Sequence, residues 1–179
     1  MTDKERKNLS KFLSLVLRHR PEQVGLELDH EGWAKTDELL DKMKISFDDL
    51  QEVVGLNDKK RFSFSEDLSR IRASQGHSIE VELNLQPTTP PDVLYHGTAE
   101  KNIPSILEKG LLKKDRNHVH LSTNIETAIS VGKRYGKPVV LEIAAREMHL
   151  KGHLFYLSDN GVWLTEYVGP EYVGVGNNQ

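Results

Sequence analysis

Four arginines and one histidine have the residue types and neighbours needed to hold an anion. Arg18, His19 and Arg20 follow a strongly apolar stretch, Arg72 precedes Gln75-Gly76-His77-Ser78, and Arg134 falls near the end of a helical segment. A guanidinium grips phosphate through paired N–H donors, and a neighbouring imidazole can orient it or move a proton. Taken singly, each arginine is as readily a surface salt-bridge partner, and each histidine a structural or surface residue. The Arg18-His19 pair is the harder one to explain structurally, because both cations sit at the edge of an apolar run.

Two glycine-centred motifs supply further candidates. Gln75-Gly76-His77-Ser78 and His96-Gly97-Thr98 each set a permissive backbone beside hydrogen-bonding side chains, as a turn approaching a phosphate would. Neither has the spacing of a Walker loop or a dinucleotide fingerprint. His118 and His120 alternate like a strand-borne metal pair, but no third or fourth ligand stands at a persuasive spacing, so no metal is expected. A glycine-flanked serine elbow is absent. The chain has no cysteine, which excludes disulfides, thiolate chemistry and cysteine-based zinc sites.

These residues need elements to position them. Leu9, Phe12, Leu13, Val16 and Leu17 have helical spacing, and Pro21 stops that helix at His19 or Arg20. The pattern predicts a second helix over Trp33 to Met43 and a third opened by a capping pattern at Ser46-Phe47-Asp48-Asp49. Two extended segments follow, Arg61–Phe64 and Leu68–Arg72, so the order is three short helices and a two-strand ribbon, that of a winged helix. Asn84 to Asp92 is the one proline-rich stretch and the expected linker.

Beyond the linker the pattern becomes mainly sheet with two short helices. Strands are predicted at Val93–His96, Val119–Leu121, Val139–Ile143, His153–Leu157 and Val162–Val168. One helix runs from about Ile103 to Lys109, stopped by Gly110. Another follows a Thr123–Glu126 capping box towards Tyr135, ended by Gly136 and Pro138.

The 179 residues carry a net charge of −3, which disfavours non-specific coating of nucleic acid but leaves room for a local basic cleft. No apolar run approaches the roughly 20 residues that cross a bilayer, and Met1–Arg6 holds no signal-peptide core, so the expected compartment is the cytoplasm, with no membrane partner. No obligate protein partner is expected either.

In combination, Leu17-Arg18-His19, Ile71-Arg72-Ala73-Ser74-Gln75-Gly76-His77-Ser78, Tyr95-His96-Gly97-Thr98, His118-Val119-His120-Leu121-Ser122 and Val131-Gly132-Lys133-Arg134 resemble the RNA 2'-phosphotransferase family, the KptA-like enzymes. The resemblance implies an α+β chain: a winged-helix RNA-binding lobe over residues 1–88 and a mainly β, ADP-ribosyltransferase-like NAD-binding lobe over 89–179. It implies a catalytic set of Arg18, His19, Arg72 and Arg134, with Lys133 competing for the last role. Arg18, His19, Arg72, Gln75, Gly76, His77 and Ser78 would hold the RNA phosphate, while His96, Gly97, Thr98, His120 and Ser122 would line the NAD pocket.

The implied reaction, a step of tRNA splicing, removes an internal 2'-phosphate from RNA. The phosphate attacks the nicotinamide-bearing ribose carbon of NAD, expelling nicotinamide and forming 2'-phospho-ADP-ribosyl RNA. The ribose 2''-hydroxyl then attacks phosphorus, releasing 2'-OH RNA and ADP-ribose 1'',2''-cyclic phosphate. Two rival readings are ADP-ribosylation of another nucleic-acid or protein acceptor, and a winged-helix binding module with an inert second lobe. Acidic residues in the third helix, Asp48, Asp49 and Glu52, weigh against a duplex reader.

Overall fold

A computed structural model describes residues 1–81 and 83–176. The chain is a mixed α+β protein of two compact units, Met1–Asn84, which is helical in its N-terminal part, and Leu85–Gln179, which is rich in sheet. The division falls between Asn84 and Leu85, inside the proline-rich stretch. Pro87 bridges Tyr156, and the Thr88 N–H donates to the Phe155 carbonyl, so the middle of the proline-rich stretch belongs to the second unit.

In the first unit, α1 spans Asp3–Arg18 behind a reciprocal cap between Thr2 and Glu5. Its apolar stripe places Leu13, Val16 and Leu17 wholly in the core. Each buried leucine contributes roughly 2 kcal/mol against about 1 kcal/mol for a cap, so packing holds the helix more strongly than capping does. Its end before Pro21 agrees with the expectation, a 3-10 turn Pro21–Val24 following.

Trp33–Met43 is not one helix. Ala34–Lys35 forms β1, and only Thr36–Met43 is helical, as α2. Ala34 and Lys35 pair with Ile71 and Arg70, and the Thr36 hydroxyl donates to the Leu68 carbonyl, so a non-local ladder outcompetes local helix propensity. The next elements are α3 (Phe47–Gly55), capped by Ser46, then β2 (Phe62–Phe64) and β3 (Arg70–Ala73). The expected two-strand ribbon is therefore a three-stranded sheet of order β1-β3-β2. Leu68 and Ser69 leave the second strand for a turn. There Ser65 and Ser69 donate to Asp67 and hold its carboxyl down to about 2.

The second unit runs β4 (Leu94–Ala99), α4 (Ile103–Lys109), β5 (Leu111–Leu112), β6 (Val119–Leu121), α5 (Ile125–Gly132), β7 (Pro138–Ile143), α6 (Ala145–Leu150), β8 (Phe155–Leu157), β9 (Trp163–Thr165), β10 (Tyr167–Val168) and β11 (Val173–Val175). Antiparallel pairing gives sheets of order β11-β7-β4 and β6-β9-β8, with β5 against β10. Two backbone hydrogen bonds between Tyr95 and Ser122 join the larger sheets.

Several local expectations need correction. Among the described residues of this unit there are three α-helices, not two: α6 has no side-chain cap and buries only Ala145 and Met148, so it carries little periodic signal. The expected strands Val162–Val168 and His153–Leu157 are shorter, the first divided into β9 and β10 and the second beginning at Phe155. The cap of α5 is Asn124, accepting from the Thr127 N–H, in place of a Thr123 box. That helix ends at Gly132, short of Tyr135, where the N–H groups of Arg134 and Tyr135 turn to the carbonyls of Val131 and Gly132 three residues back.

Candidate active-site clusters

The end of α1 and the segment after β3 form the first cluster. The Ser78 N–H donates to the Arg18 carbonyl at 2.9 Å, and Ser78 Oγ lies 2.8 Å from His19 Nδ1. These bonds lay residues 75–78 on the helix terminus, whose last carbonyls otherwise lack intrahelical donors. Gly76, at φ 86°, supplies the left-handed turn this path needs. Gln75, Gly76 and His77 are buried, while Arg18, His19 and Arg72 are half-buried and Ser78 is exposed.

His77 lies buried within this segment. Burial, followed by the positive charges of Arg18, His19 and Arg72, lowers its pKa to about 4. It is therefore a neutral imidazole near the Arg18 and Arg72 guanidiniums at neutral pH. Among the described residues, neither its Nε2 nor Gln75 Oε1 has a hydrogen-bond partner.

The turn before β1 completes this cluster with residues that local pattern reading missed. The Arg72 guanidinium lies 4.4 Å from the centre of the Trp33 ring, and Arg70 lies 5.2 Å from it. A methyl group on Gly32 would come within 3.2 Å of His77 Nε2. The available signal was strand register: with Ala34 opposite Ile71, residue 33 stands opposite residue 72. Arg20 is exposed, its N–H bonded to the Leu15 carbonyl.

The second cluster lies where β4 meets β6. His96 Nδ1 is 2.9 Å from the His120 carbonyl, and Arg116 Nη1 is 2.9 Å from His120 Nδ1. A carbonyl only accepts and a guanidinium only donates, so the tautomers follow. His96 carries its proton on Nδ1 and offers Nε2 as an acceptor, whereas His120 accepts at Nδ1 and carries its proton on Nε2. Burial lowers the His96 pKa, and Arg116 and Lys114 lower it further, against the bond to the His120 carbonyl. Ser122 Oγ caps the following turn, accepting from the Asn124 N–H at 3.0 Å.

His96-Gly97-Thr98 is not a turn but the middle of β4. A methyl group at Gly97 would sit 1.7 Å from the Ala128 carbonyl oxygen, so this glycine allows α5 to lie on the strand. Thr98 is buried and accepts from Asn102 Nδ2. Gly97 and Thr98 thus form the packed backing of the His96 strand. Arg134 is exposed in the turn beyond α5, where its N–H donates to the Val131 carbonyl. It belongs to a different unit from Arg18, His19 and Arg72. Lys133 is the C-cap of the helix and is also exposed.

Among the described residues, no three histidine, aspartate or glutamate side chains gather as a metal site. Among the same residues, no helix is long and apolar enough to cross a membrane. The polar atoms of the second cluster fit a ligand with neutral hydrogen-bonding groups, such as ribose hydroxyls or a carboxamide. The first cluster suits formal negative charge.

The sequence model of the RNA 2'-phosphotransferase, Tpt1/KptA family matches residues 4–167. The chain is similar to a protein of Trichormus variabilis, described as a probable RNA 2'-phosphotransferase, with 55% identity covering 94% of this chain and 96% of that one. Proteins of the same description from Hahella chejuensis and Pseudomonas aeruginosa are 53% and 54% identical. The first match covers 97% of this chain and 96% of the relative, the second 92% and 93%. Matches of this extent show that the chain belongs to the RNA 2'-phosphotransferase, Tpt1/KptA family, whose enzymes depend on NAD.

Proposed function

We propose that this enzyme removes an internal 2'-phosphate from RNA in an NAD-dependent reaction, with the first unit holding the RNA phosphate and the second holding NAD. The observation carrying this reading is the bonding of Ser78 to the Arg18 carbonyl and to the His19 ring, which brings the end of α1 to the segment after Arg72, beside the buried His77. Like charges gathered at a half-buried site repel one another, and a phosphate dianion offsets that cost while accepting paired guanidinium hydrogen bonds.

The first unit is read as a winged-helix lobe from its three helices and small antiparallel sheet. Its α3 opens with Asp48 and Asp49, and its Glu52 is committed to Arg6 at 2.7 Å. Such an acidic helix serves as scaffold rather than as a reader of duplex nucleic acid. The second unit is read as an ADP-ribosyltransferase-like lobe from its antiparallel sheets and the joined His96, His120 and Ser122.

NAD supplies an activated ribose carbon with nicotinamide as its leaving group. The attacking 2'-phosphate is already anionic, so the chain needs to orient it without a strong base. Arg18 and Arg72 do this, with Gln75, Gly76, His77 and Ser78 bordering the phosphate. When phosphorus is attacked in turn, charge shifts over its oxygens, and the guanidiniums of Arg18 and Arg72 stabilise it. Ser78 orients the His19 ring through Nδ1, so transfer of a proton to the departing RNA 2'-oxygen would run through Nε2. His96 and His120 offer one acceptor and one donor to the neutral groups of NAD, with Gly97, Thr98 and Ser122 shaping that wall.

The test is incubation with NAD and a short RNA carrying one internal 2'-phosphate, with excess chelator, and products identified by mass. The expected products are 2'-OH RNA, nicotinamide and the cyclic phosphate of ADP-ribose. Arg72→Ala should slow the second step by about 100-fold, the scale of one lost preorganised donor, and let 2'-phospho-ADP-ribosyl RNA accumulate. Phosphate release without NAD, or a strict requirement for added metal, would overturn the reading.

A further inference from the structure

Trp33 sits in a turn built more firmly than a connecting loop requires. Asp29 Oδ1 accepts from the N–H groups of both Glu31 and Trp33 at 2.9 Å. The Asp29 N–H donates to the Trp33 carbonyl at 2.9 Å, and the Gly32 N–H to the Asp29 carbonyl at 3.0 Å. Gly32, at φ 82°, takes the left-handed conformation that closes the turn. This arrangement delivers Trp33 to the sheet just ahead of β1, across the ladder from Arg72.

Two arginines lie near its ring, and they are not equivalent. Arg72 is closer, at 4.4 Å, and half-buried; Arg70 is at 5.2 Å, exposed, and has Asp29 Oδ2 at 3.7 Å from its Nη1. The carboxylate that shapes the turn therefore also draws off the competing guanidinium. A guanidinium over an indole uses its flat face for the ring and keeps its N–H edge for a planar or tetrahedral anion. Stacking limits the rotamers of a long side chain without consuming its donors.

We propose that Trp33 is a positioning residue for phosphate transfer, its indole face holding the Arg72 guanidinium in the orientation that meets the RNA 2'-phosphate. This rests on the reading of Arg72 as a phosphate ligand, and it assigns to the Asp29–Trp33 turn a part in the chemistry rather than in folding alone. Lysine at position 72 would keep the charge but lose the stacked plane.

The test is a double-mutant cycle in the full chain, with initial rates measured on NAD and the 2'-phosphorylated RNA and folding checked by thermal unfolding. Trp33→Leu should lower kcat about 10-fold with the KM for NAD little changed, whereas Trp33→Phe, which keeps an aromatic face, should stay within about 3-fold of wild type. Trp33→Leu combined with Arg72→Ala should be no slower than Arg72→Ala alone.

An extra 10-fold loss in the double variant would show that Trp33 acts independently of Arg72 and would overturn the proposal. So would Trp33→Phe falling as far as Trp33→Leu. A wild-type rate for Arg72→Ala would instead remove the phosphate-ligand reading on which the proposal stands. Should Trp33→Leu fail to fold, the cycle runs with Trp33→Phe and Arg72→Lys. The modest effect of the phenylalanine must then vanish in the lysine background, and its persistence there overturns the proposal.

Discussion

The cluster around His77 and the cluster around His96 both contain a histidine of lowered pKa near positive charge, yet they are built by different means. Around His77 side chains contribute more, through Ser78 on His19 and Trp33 under Arg72, alongside the backbone bond of Ser78 to Arg18. Around His96 the backbone contributes more, through the His120 carbonyl, the Tyr95–Ser122 bonds and the close approach of Ala128 to Gly97. Side-chain construction concentrates formal charge and suits a phosphate. Backbone construction, with Arg116 fixing the one remaining tautomer, suits neutral donors and acceptors. The two histidines therefore owe their lowered pKa values to settings with different chemical purposes.

The comparison breaks most visibly at Gly97. Replacing it with alanine forces a methyl group to 1.7 Å from the Ala128 carbonyl oxygen, so α5 must lift from β4. We expect a loss of at least about 3 kcal/mol in the second unit, measured as a lowered urea midpoint for its transition. An unchanged midpoint would show that backbone packing is not what holds the His96 strand.

A smaller effect, in the other cluster, comes from pH. The unfolded chain takes up a proton at position 77 near pH 6.5, but the folded chain refuses it until about pH 4. The unfolded state thus binds more protons across that window, and stability is lost as pH falls through it. The loss at its foot should be about 3 kcal/mol. Urea titrations between pH 7 and 4 check this, and His77→Gln should flatten the pH dependence of the first unit's transition. An equally steep slope in that variant would place the proton elsewhere.

The smallest effect sharpens the tautomer assignment. Without the Arg116 donor, His120 Nδ1 loses the bond that fixes its tautomer. Arg116→Ala should mix the two His120 tautomers in nitrogen-15 NMR spectra and weaken NAD binding about 5- to 10-fold by calorimetry, the scale of one hydrogen bond. Unaltered imidazole shifts would show that Arg116 does not set the protonation of His120.

Much of the local structure was legible from residues close in sequence. The apolar spacing of Leu9–Leu17 and the stop before Pro21 located α1, and Val119-His120-Leu121 is β6 as expected. Ser46 caps α3, and Gly110 ends α4. Where the reading failed, a distant partner decided. Trp33 looked like the start of a helix because its own neighbours favour one, but Ile71 and Arg70 pair with Ala34 and Lys35. Gly97 looked like a turn because glycine permits one, whereas in β4 its value is the missing Cβ facing Ala128.

The candidate site divides in the same way. The residue types were visible in the sequence: arginines for phosphate, histidines beside small and hydroxylic residues, no cysteine, and motifs whose joint order identifies the family. The tertiary structure alone decided that Ser78 ties Arg18 and His19 to the segment after Arg72, that His77 there is buried and neutral, that Trp33 lies under Arg72, and that Arg116 sets the His120 tautomer. The reason is physical. Helix periodicity, caps and turns depend on interactions within a few residues, while burial, strand register and the charge felt by a buried ring depend on groups dozens of residues away, brought near only when the chain has folded.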